Sequence, residues 1–256
     1  ECIPTARMMP KHDNLVVLPH KPDEVRVLRN LGIKAPAPIM HYYDWVGEFT
    51  PYAHQKSTAA FLTMNMKALV LNEIGTGKTQ SALWAADYLI NAGAINKVLI
   101  ISPLSTLERV WGDAIFKGLL HRRHVVLHGT AKRRKKLLDS EADFYIINHD
   151  GFPIISDQAT GMFDLVIIDE AAVYRTPNTT RFRLFRKWMD NNPDTRLWLM
   201  TGTPTPNNPT DAWALAKLVD SPYAPRTFGS FRDQVMEKYG QYTYLPRVTA
   251  LDTVKH

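Results

Sequence analysis

A single cysteine, Cys2, stands in this chain of 256 residues, which excludes an internal disulfide and a multi-cysteine zinc site. Such cysteine usage predicts a reducing, cytosol-like compartment. No uninterrupted apolar stretch approaches the ~18 residues that a membrane-spanning helix requires, so no membrane partner is expected. The opening residues Glu1-Cys2-Ile3-Pro4 have neither the basic end nor the apolar run of a signal peptide. An initiator Met is also missing, so Glu1 need not be the natural first residue. The chain has no low-complexity tract and no internal repeat, which sets aside repeat architectures. What remains is ordinary globular stock: 45% apolar and 22% charged residues exclude wholesale disorder. The length suits one large domain, or a domain with a small appendage. Lys and Arg outnumber Asp and Glu, 31 to 25, for a net charge of +6, a surplus that suits a polyanion such as nucleic acid without requiring one.

Two regions differ in rhythm. In residues 1–48, the run Leu15-Val16-Val17-Leu18 between Asn14 and Pro19 predicts a strand. Pro22-Asp23-Glu24 then reads as a helix start, with proline and acids in the first turn. Val25, Leu28 and Leu31 give that helix an apolar stripe, and Gly32 is placed to end it. Pro36, Pro38 and the aromatics Tyr42, Tyr43 and Trp45 follow. The reading is an N-terminal appendage packed on the main domain, with a flexible linker as the alternative. Residues 49–240 alternate short apolar runs with helix-like stretches. The runs are 68–71, 98–101, 124–127, 144–147, 165–168 and 197–200; the helix-like stretches are 78–91, 105–118, 131–139, 181–190 and 210–219. Continuous apolar strands imply that both sheet faces are covered. Strand-helix alternation implies right-handed crossovers. The expected fold is a three-layer α/β domain with a mostly parallel central sheet.

Three motifs carry chemistry. Gly75-Thr76-Gly77-Lys78-Thr79 lies between a predicted strand and a predicted helix. There, glycines let backbone N–H groups turn toward phosphate oxygens, and the helix N-terminus adds positive potential. Lys78 would reach the β- and γ-phosphates, and the Thr79 hydroxyl would hold Mg²⁺. The usual pattern wants glycine where this chain has Asn72, so a chance glycine turn is the competing reading. Asp169-Glu170 ends the apolar strand 165–168, a place from which Asp169 reaches a metal and Glu170 polarises water. Thr201-Gly202-Thr203-Pro204 ends the strand 197–200 at the same sheet edge, where a plain turn would read alike.

The ordered set resembles the first motor lobe of superfamily 2 helicases and translocases, in the Swi/Snf-like branch. Tyr52-Ala53-His54-Gln55 is similar to the glutamine motif, in which Gln55 recognises adenine. Asn72-Glu73-Ile74-Gly75-Thr76-Gly77-Lys78-Thr79 resembles that branch's phosphate loop, which also lacks the first glycine. Ile101-Ser102-Pro103-Leu104-Ser105-Thr106-Leu107, with Trp111, resembles motif Ia, and Ile146-Ile147-Asn148-His149-Asp150 occupies the place of the segment before the acidic motif. Asp169-Glu170-Ala171-Ala172 matches a DEAH-type box except in its last position. Leu199-Met200-Thr201-Gly202-Thr203-Pro204-Thr205-Pro206-Asn207-Asn208 resembles the threonine-proline motif, in which Thr201 and Thr203 serve coupling. The N-terminal segment is similar to those of phage and bacterial members.

The resemblance implies a RecA-like lobe that binds ATP and Mg²⁺ and contacts a nucleic-acid backbone, duplex DNA in this branch. Ser105, Thr106 and His149 would line the strand path. Arg133 and Arg134, in the basic run Lys132-Arg133-Arg134-Lys135-Lys136, either track phosphates or form a solvated helix face. Ala172 replaces a histidine that couples the nucleotide site to the rest of the motor, which puts coupling in question. Nothing after Gly240 resembles a second RecA-like lobe, so 241–256 reads as the start of a connection to one, in a longer natural chain or in trans. Two functions compete: a DNA-dependent ATPase that moves along duplex DNA, and a nucleotide-gated DNA-binding module without productive turnover. A P-loop kinase or GTPase would leave the threonine-proline motif unexplained.

Overall fold

The structure, a computed structural model, describes residues 5–9, 12–203, 205, 208–240 and 243–255. Cys2 and, within the threonine-proline motif, Pro204, Pro206 and Asn207 lie outside the described residues. The N-terminal region contains the antiparallel pair β1 (Arg7–Met9) and β2 (His12–Val17), then α1 (Pro22–Asn30), α2 (Ile39–Tyr42) and α3 (Ala53–Met64). The alternating body follows as β3 (Lys67–Val70), α4 (Lys78–Asn91), β4 (Val98–Ser102), α5 (Asp113–Gly118), β5 (His124–Val126) and α6 (Ala131–Leu137). It continues as β6 (Phe144–Asn148), α7 (Phe152–Ile155), β7 (Leu165–Asp169), α8 (Thr180–Asp190), β8 (Arg196–Met200) and α9 (Ala212–Leu218). Last come α10 (Phe228–Val235), the antiparallel pair β9 (Met236–Lys238) and β10 (Tyr244–Pro246), and α11 (Ala250–Lys255).

Strands β3 to β8 form one sheet in the order β3-β8-β7-β4-β6-β5, parallel at every pairing. The six apolar runs of the sequence supply all six strands. β4, β6 and β7 are buried at each position, which is possible only where helices cover both faces. Alternate residues serve opposite layers. Val98 and Ile100 join Leu83, Trp84 and Trp198 on one side, while Leu99 and Ile101 join Phe152, Phe185 and Trp188 on the other.

The helix over 78–91 forms as the spacing predicts, with Ser81 to Leu89 all buried. The stretch 105–118 is less regular: a 3₁₀ turn at Leu104–Thr106 and a π-helical stretch at Leu107–Gly112 precede α5. That widened turn directs the buried Trp111 into the sheet's edge, the kind of place where π-helical segments concentrate.

The N-terminal region packs on α4 rather than trailing from it. Val25, Ile39 and Tyr43 are buried in the same core as Trp84. The Trp84 indole donates to the Val46 carbonyl at 2.8 Å. Asp87 of α4 is wholly buried, and a buried charge is costly unless paired. It accepts from Tyr43 Oη at 2.7 Å, Arg122 Nε at 2.6 Å and His121 Nε2 at 2.9 Å. One carboxylate thus pins the segment before α3 and the turn before β5 to α4.

Candidate functional site

Register places Val70 of β3, Met200 of β8 and Asp169 of β7 at one level. The loops that follow these strands therefore emerge side by side at the C-terminal edge of the sheet, where α/β folds bind ligands. In the first loop, Gly75 (φ 83°) and Gly77 (φ 77°) adopt left-handed backbone, conformations glycine enters at no steric cost. Gly77 caps the N-terminus of α4, a helix of 14 residues, so free N–H groups and the positive end of its dipole face the loop.

Gln55 locks this loop from the side. Its Nε2 donates to the Thr76 carbonyl at 3.3 Å, and its Oε1 accepts from the Tyr52 N–H at 3.0 Å. His54 Nε2 meets the same Thr76 carbonyl at 3.0 Å. A β-carbon on Gly77 would lie 2.0 Å from Gln55 Nε2, so the glutamine seats only over glycine. Asn72, where the common pattern has glycine, donates from Nδ2 to Thr58 Oγ1 of α3 at 3.1 Å. Lys78 Nζ donates to the carbonyls of Asn72 (2.9 Å) and Glu73 (3.0 Å). Beside the loop opens a cavity of ≈ 600 Å³ lined by Phe49, Tyr52, Gln55, Thr79, Gln80 and Trp84 among others. It is mostly apolar with a few amides and hydroxyls, the makeup of a small-molecule pocket.

Asp169 is buried, and its Oδ2 accepts from Trp111 Nε1 at 3.0 Å while its Oδ1 accepts from the Glu170 N–H at 3.0 Å. Burial pushes its carboxyl pKa up, against the pull of the indole, the Glu170 N–H and the Lys78 charge. Glu170, half-buried, is also raised, first by burial and then by the charge of Asp169, with Lys78 opposing. Glu170 stands at φ 50°, left-handed backbone that costs a non-glycine residue energy, and opens a 3₁₀ turn over Ala171–Tyr174.

Between the two loops sits Thr201, fully buried. Its N–H donates to the Val70 carbonyl at 3.1 Å, and its Oγ1 accepts from the Thr203 N–H at 3.2 Å. A β-carbon on Gly202 would stand 3.2 Å from Ile74 Cγ1, so this motif rests on the phosphate loop itself. No group of three His, Cys, Asp or Glu side chains able to hold a metal occurs among the described residues. The Thr79 hydroxyl and the Asp169 carboxylate fit Mg²⁺, which takes few protein oxygens and completes its shell with water and substrate phosphates.

Ser105 and Thr106 lie on the turn after β4, with Ser105 exposed, beside a groove of ≈ 550 Å³ that also reaches Arg109, His128 and Arg133. Arg133 is exposed there, as are Lys132, Lys135 and Lys136. Two expectations require correction. Arg134 does not face a ligand: it is 8% exposed, and its guanidinium donates to the carbonyls of Leu127 and Gly129 (both 2.9 Å) and to Asn148 Oδ1 (2.8 Å). His149 does not line a surface path: it is 7% exposed, edge-on to Tyr174 at 5.7 Å. Burial, helped by the Arg181 charge, pulls its imidazole pKa down to about 4. The Trp111–Asp169 bond, the His54 contact and the Arg134–Asn148 tie carry no sequence signal beyond residue type, since each joins residues distant in the chain.

Residues 54–244 match the family model of the SNF2-related domain. The protein p41 of Acyrthosiphon pisum secondary endosymbiont phage 1 is 28% identical over 202 residues, 72% of this chain and 42% of that protein. The chromatin-remodeling ATPase INO80 of Lodderomyces elongisporus is 27% identical over 168 residues, 60% of this chain and 10% of its own length. The chain thus spans less than half the length of these relatives. Among solved structures, the Sulfolobus solfataricus SWI2/SNF2 ATPase core in complex with dsDNA shares the fold, with a TM-score of 0.62 at 18% identity, over 74% of this chain and 39% of that one.

Proposed function

The chain belongs to the SNF2-related domain family as a first RecA-like motor lobe, and from that premise we propose that it is the ATP-binding lobe of a DNA-dependent ATPase. The natural motor hydrolyses ATP with Mg²⁺ to move along duplex DNA. One observation carries the reading: the loops after β3, β7 and β8, which bear Lys78, Asp169-Glu170 and Thr201, emerge side by side at one sheet edge. Relatives bear the names of an ATPase and of a helicase, and the structural neighbour is a complex with dsDNA.

Backbone N–H groups of Gly75, Thr76 and Gly77 cradle phosphate oxygens, and Lys78 exchanges its loop carbonyls for the β- and γ-phosphates. Gln55 reads the base edge. Thr79 and Asp169 would hold Mg²⁺, which when bound would supply charge neutralisation on the phosphates. Glu170, its basicity raised by burial, takes the proton of the attacking water. Thr201 and Thr203 relay the state of the loop to neighbouring segments. Ser105, Thr106 and Arg133 meet DNA phosphates. Residues 1–48 form the appendage, 49–240 the lobe and 241–256 the connection toward a second lobe.

The test is a pair of variants in nucleotide titration and turnover. Lys78→Ala loses ATP affinity without unfolding, and Glu170→Gln keeps affinity but loses hydrolysis. Equal ATP binding by wild type and Lys78→Ala overturns the assignment. Ala172 favours a second reading, a nucleotide-gated DNA-binding module; hydrolysis measured with and without duplex DNA on a two-lobe protein separates the two.

A further inference from the structure

The geometry points to Asn148-His149-Asp150 as the joint that couples the basic helix α6 to the catalytic turn behind Glu170, with His149 as its positioning residue. The inference rests on the functional reading above and adds a means of regulating that site. The three consecutive side chains at the end of β6 reach three different elements. Asn148 Oδ1 accepts from Arg134 of α6 at 2.8 Å. Asp150 Oδ1 accepts from Arg181 of α8 at 2.5 Å. His149 packs edge-on against Tyr174, which closes the turn that Glu170 opens. The joint is tightly built, since a β-carbon on Gly151 would lie 2.2 Å from Arg134 Nη1.

One part of it is unfinished. By hydrogen-bond geometry, neither ring nitrogen of His149 nor the hydroxyl of Tyr174 has a partner among the described residues, although the backbone of Asp169 lies near enough to the imidazole to favour its protonation. Buried polar atoms rarely stay orphaned, and these belong to two rings already in contact. In a second arrangement of these rings, a ring nitrogen and the hydroxyl would pair. The turn itself is strained at Glu170, where φ is 50°, so its backbone has a second arrangement to relax into. The described arrangement, with the rings unpaired and Glu170 strained, is one state; the His149–Tyr174 bond belongs to the other, in which Glu170 is re-aimed. Ala172, within the same turn, offers only a methyl group, whereas His149 reaches Tyr174 from the end of β6, two strands away in the sheet. A shift of α6 on DNA is carried through Arg134 and Asn148 into this choice.

Coupling of this kind is a measurable free energy and is reciprocal. The affinity of the 256-residue chain for the Mg²⁺ complex of the non-hydrolysable analogue AMP-PNP is measured with and without a short duplex DNA, and the DNA affinity with and without the nucleotide. Wild type should show the same factor in both directions, about fivefold or more. Tyr174→Phe keeps the ring and its volume but cannot form the bond. It should leave each separate affinity within about twofold and bring the factor to one, with unliganded stability unchanged or raised. His149→Ala should do the same to the factor, and His149→Gln, which can still reach the hydroxyl, should restore part of it. If His149→Ala fails to fold, Tyr174→Phe decides alone. A wild-type factor retained in Tyr174→Phe, or a factor of one in wild type that binds both ligands, overturns the inference and leaves the functional reading intact. Failure of wild type to bind nucleotide overturns that reading, and the inference with it.

Discussion

At Gly77, alanine meets two obstacles: a backbone at φ 77° and Gln55 Nε2 at 2.0 Å from its new β-carbon. Gly77→Ala should cost about 1–3 kcal/mol of stability and weaken nucleotide binding. Adding Gln55→Ala removes the clash but not the twist, so chemical denaturation of the double variant should recover only part of the loss. At the metal, Asp169→Asn should abolish the Mg²⁺ dependence of ATP affinity while Glu170→Gln spares it; identical phenotypes would contradict the division of roles. His149 sets a pH dependence. Its folded pKa, about 4, lies below the unfolded value of about 6.5, so the unfolded chain binds the proton more readily. That contribution, on the order of 3 kcal/mol, is complete above pH 6.5 and is lost as pH falls toward 4. Asp169 and Glu170, both raised, run the opposite way, favouring the folded state as pH falls. The difference between wild type and His149→Gln, in denaturation from pH 7 to 4.5, isolates the imidazole.

Helix α6 shows what a sequence conceals about one element. Its basic run reads the same at every position, yet Arg134 turns inward while Lys132, Arg133, Lys135 and Lys136 stay exposed. Reversing charge at Lys132 and Arg133 should lower the slope of log affinity for duplex DNA against log salt by roughly one for each phosphate left without a cation. Arg134→Ala should instead destabilise by about 2–4 kcal/mol, since it strands three acceptors in the interior. The six central strands were legible because each is a short continuous apolar run between turn residues. α4 was legible from its glycine-flanked start. Helix α3 was not, because its N-cap is Tyr52 rather than a Ser, Thr, Asp or Asn, and the capping acceptor comes from Gln55, already claimed by the nucleotide motif. The pair β9–β10, three residues in each strand, is too short for any period to show. The phosphate loop, Asp169, Glu170 and Thr201 could be named from local pattern. The bearing of Tyr174 on them, and of Trp111, named only as part of motif Ia, could not, since only the sheet order brings these rings near.

For the molecule as a whole, the N-terminal boundary near residue 48 follows a change in sequence rhythm, while the packing crosses it freely through Tyr43, Trp45 and Val46. Tyr43→Phe removes one of the bonds to Asp87 and should cost about 1–2 kcal/mol, with the lost stability shared by the N-terminal helices and the nucleotide domain in a single cooperative transition. Two separate transitions would mean that the regions fold independently. The same molecule should turn over ATP slowly by itself. An arginine supplied from outside the nucleotide site contributes about 10³–10⁵ in phosphoryl-transfer rate, and no second-lobe motif is recognisable in these residues. Adding a second lobe should restore DNA-stimulated hydrolysis; vigorous stimulated turnover by residues 1–256 alone would require that arginine to lie within them.

The indole of Trp111 donates to the carboxylate of Asp169, the group proposed to hold the cation. Indole emission responds to the hydrogen bond and to charge nearby, so the chain carries its own optical gauge of the site. Titrating Mg²⁺ in the presence of nucleotide should shift the emission of wild type, and the shift should vanish in Trp111→Phe although five other tryptophans remain. No label is then needed to time the arrival of the ion in a stopped-flow trace.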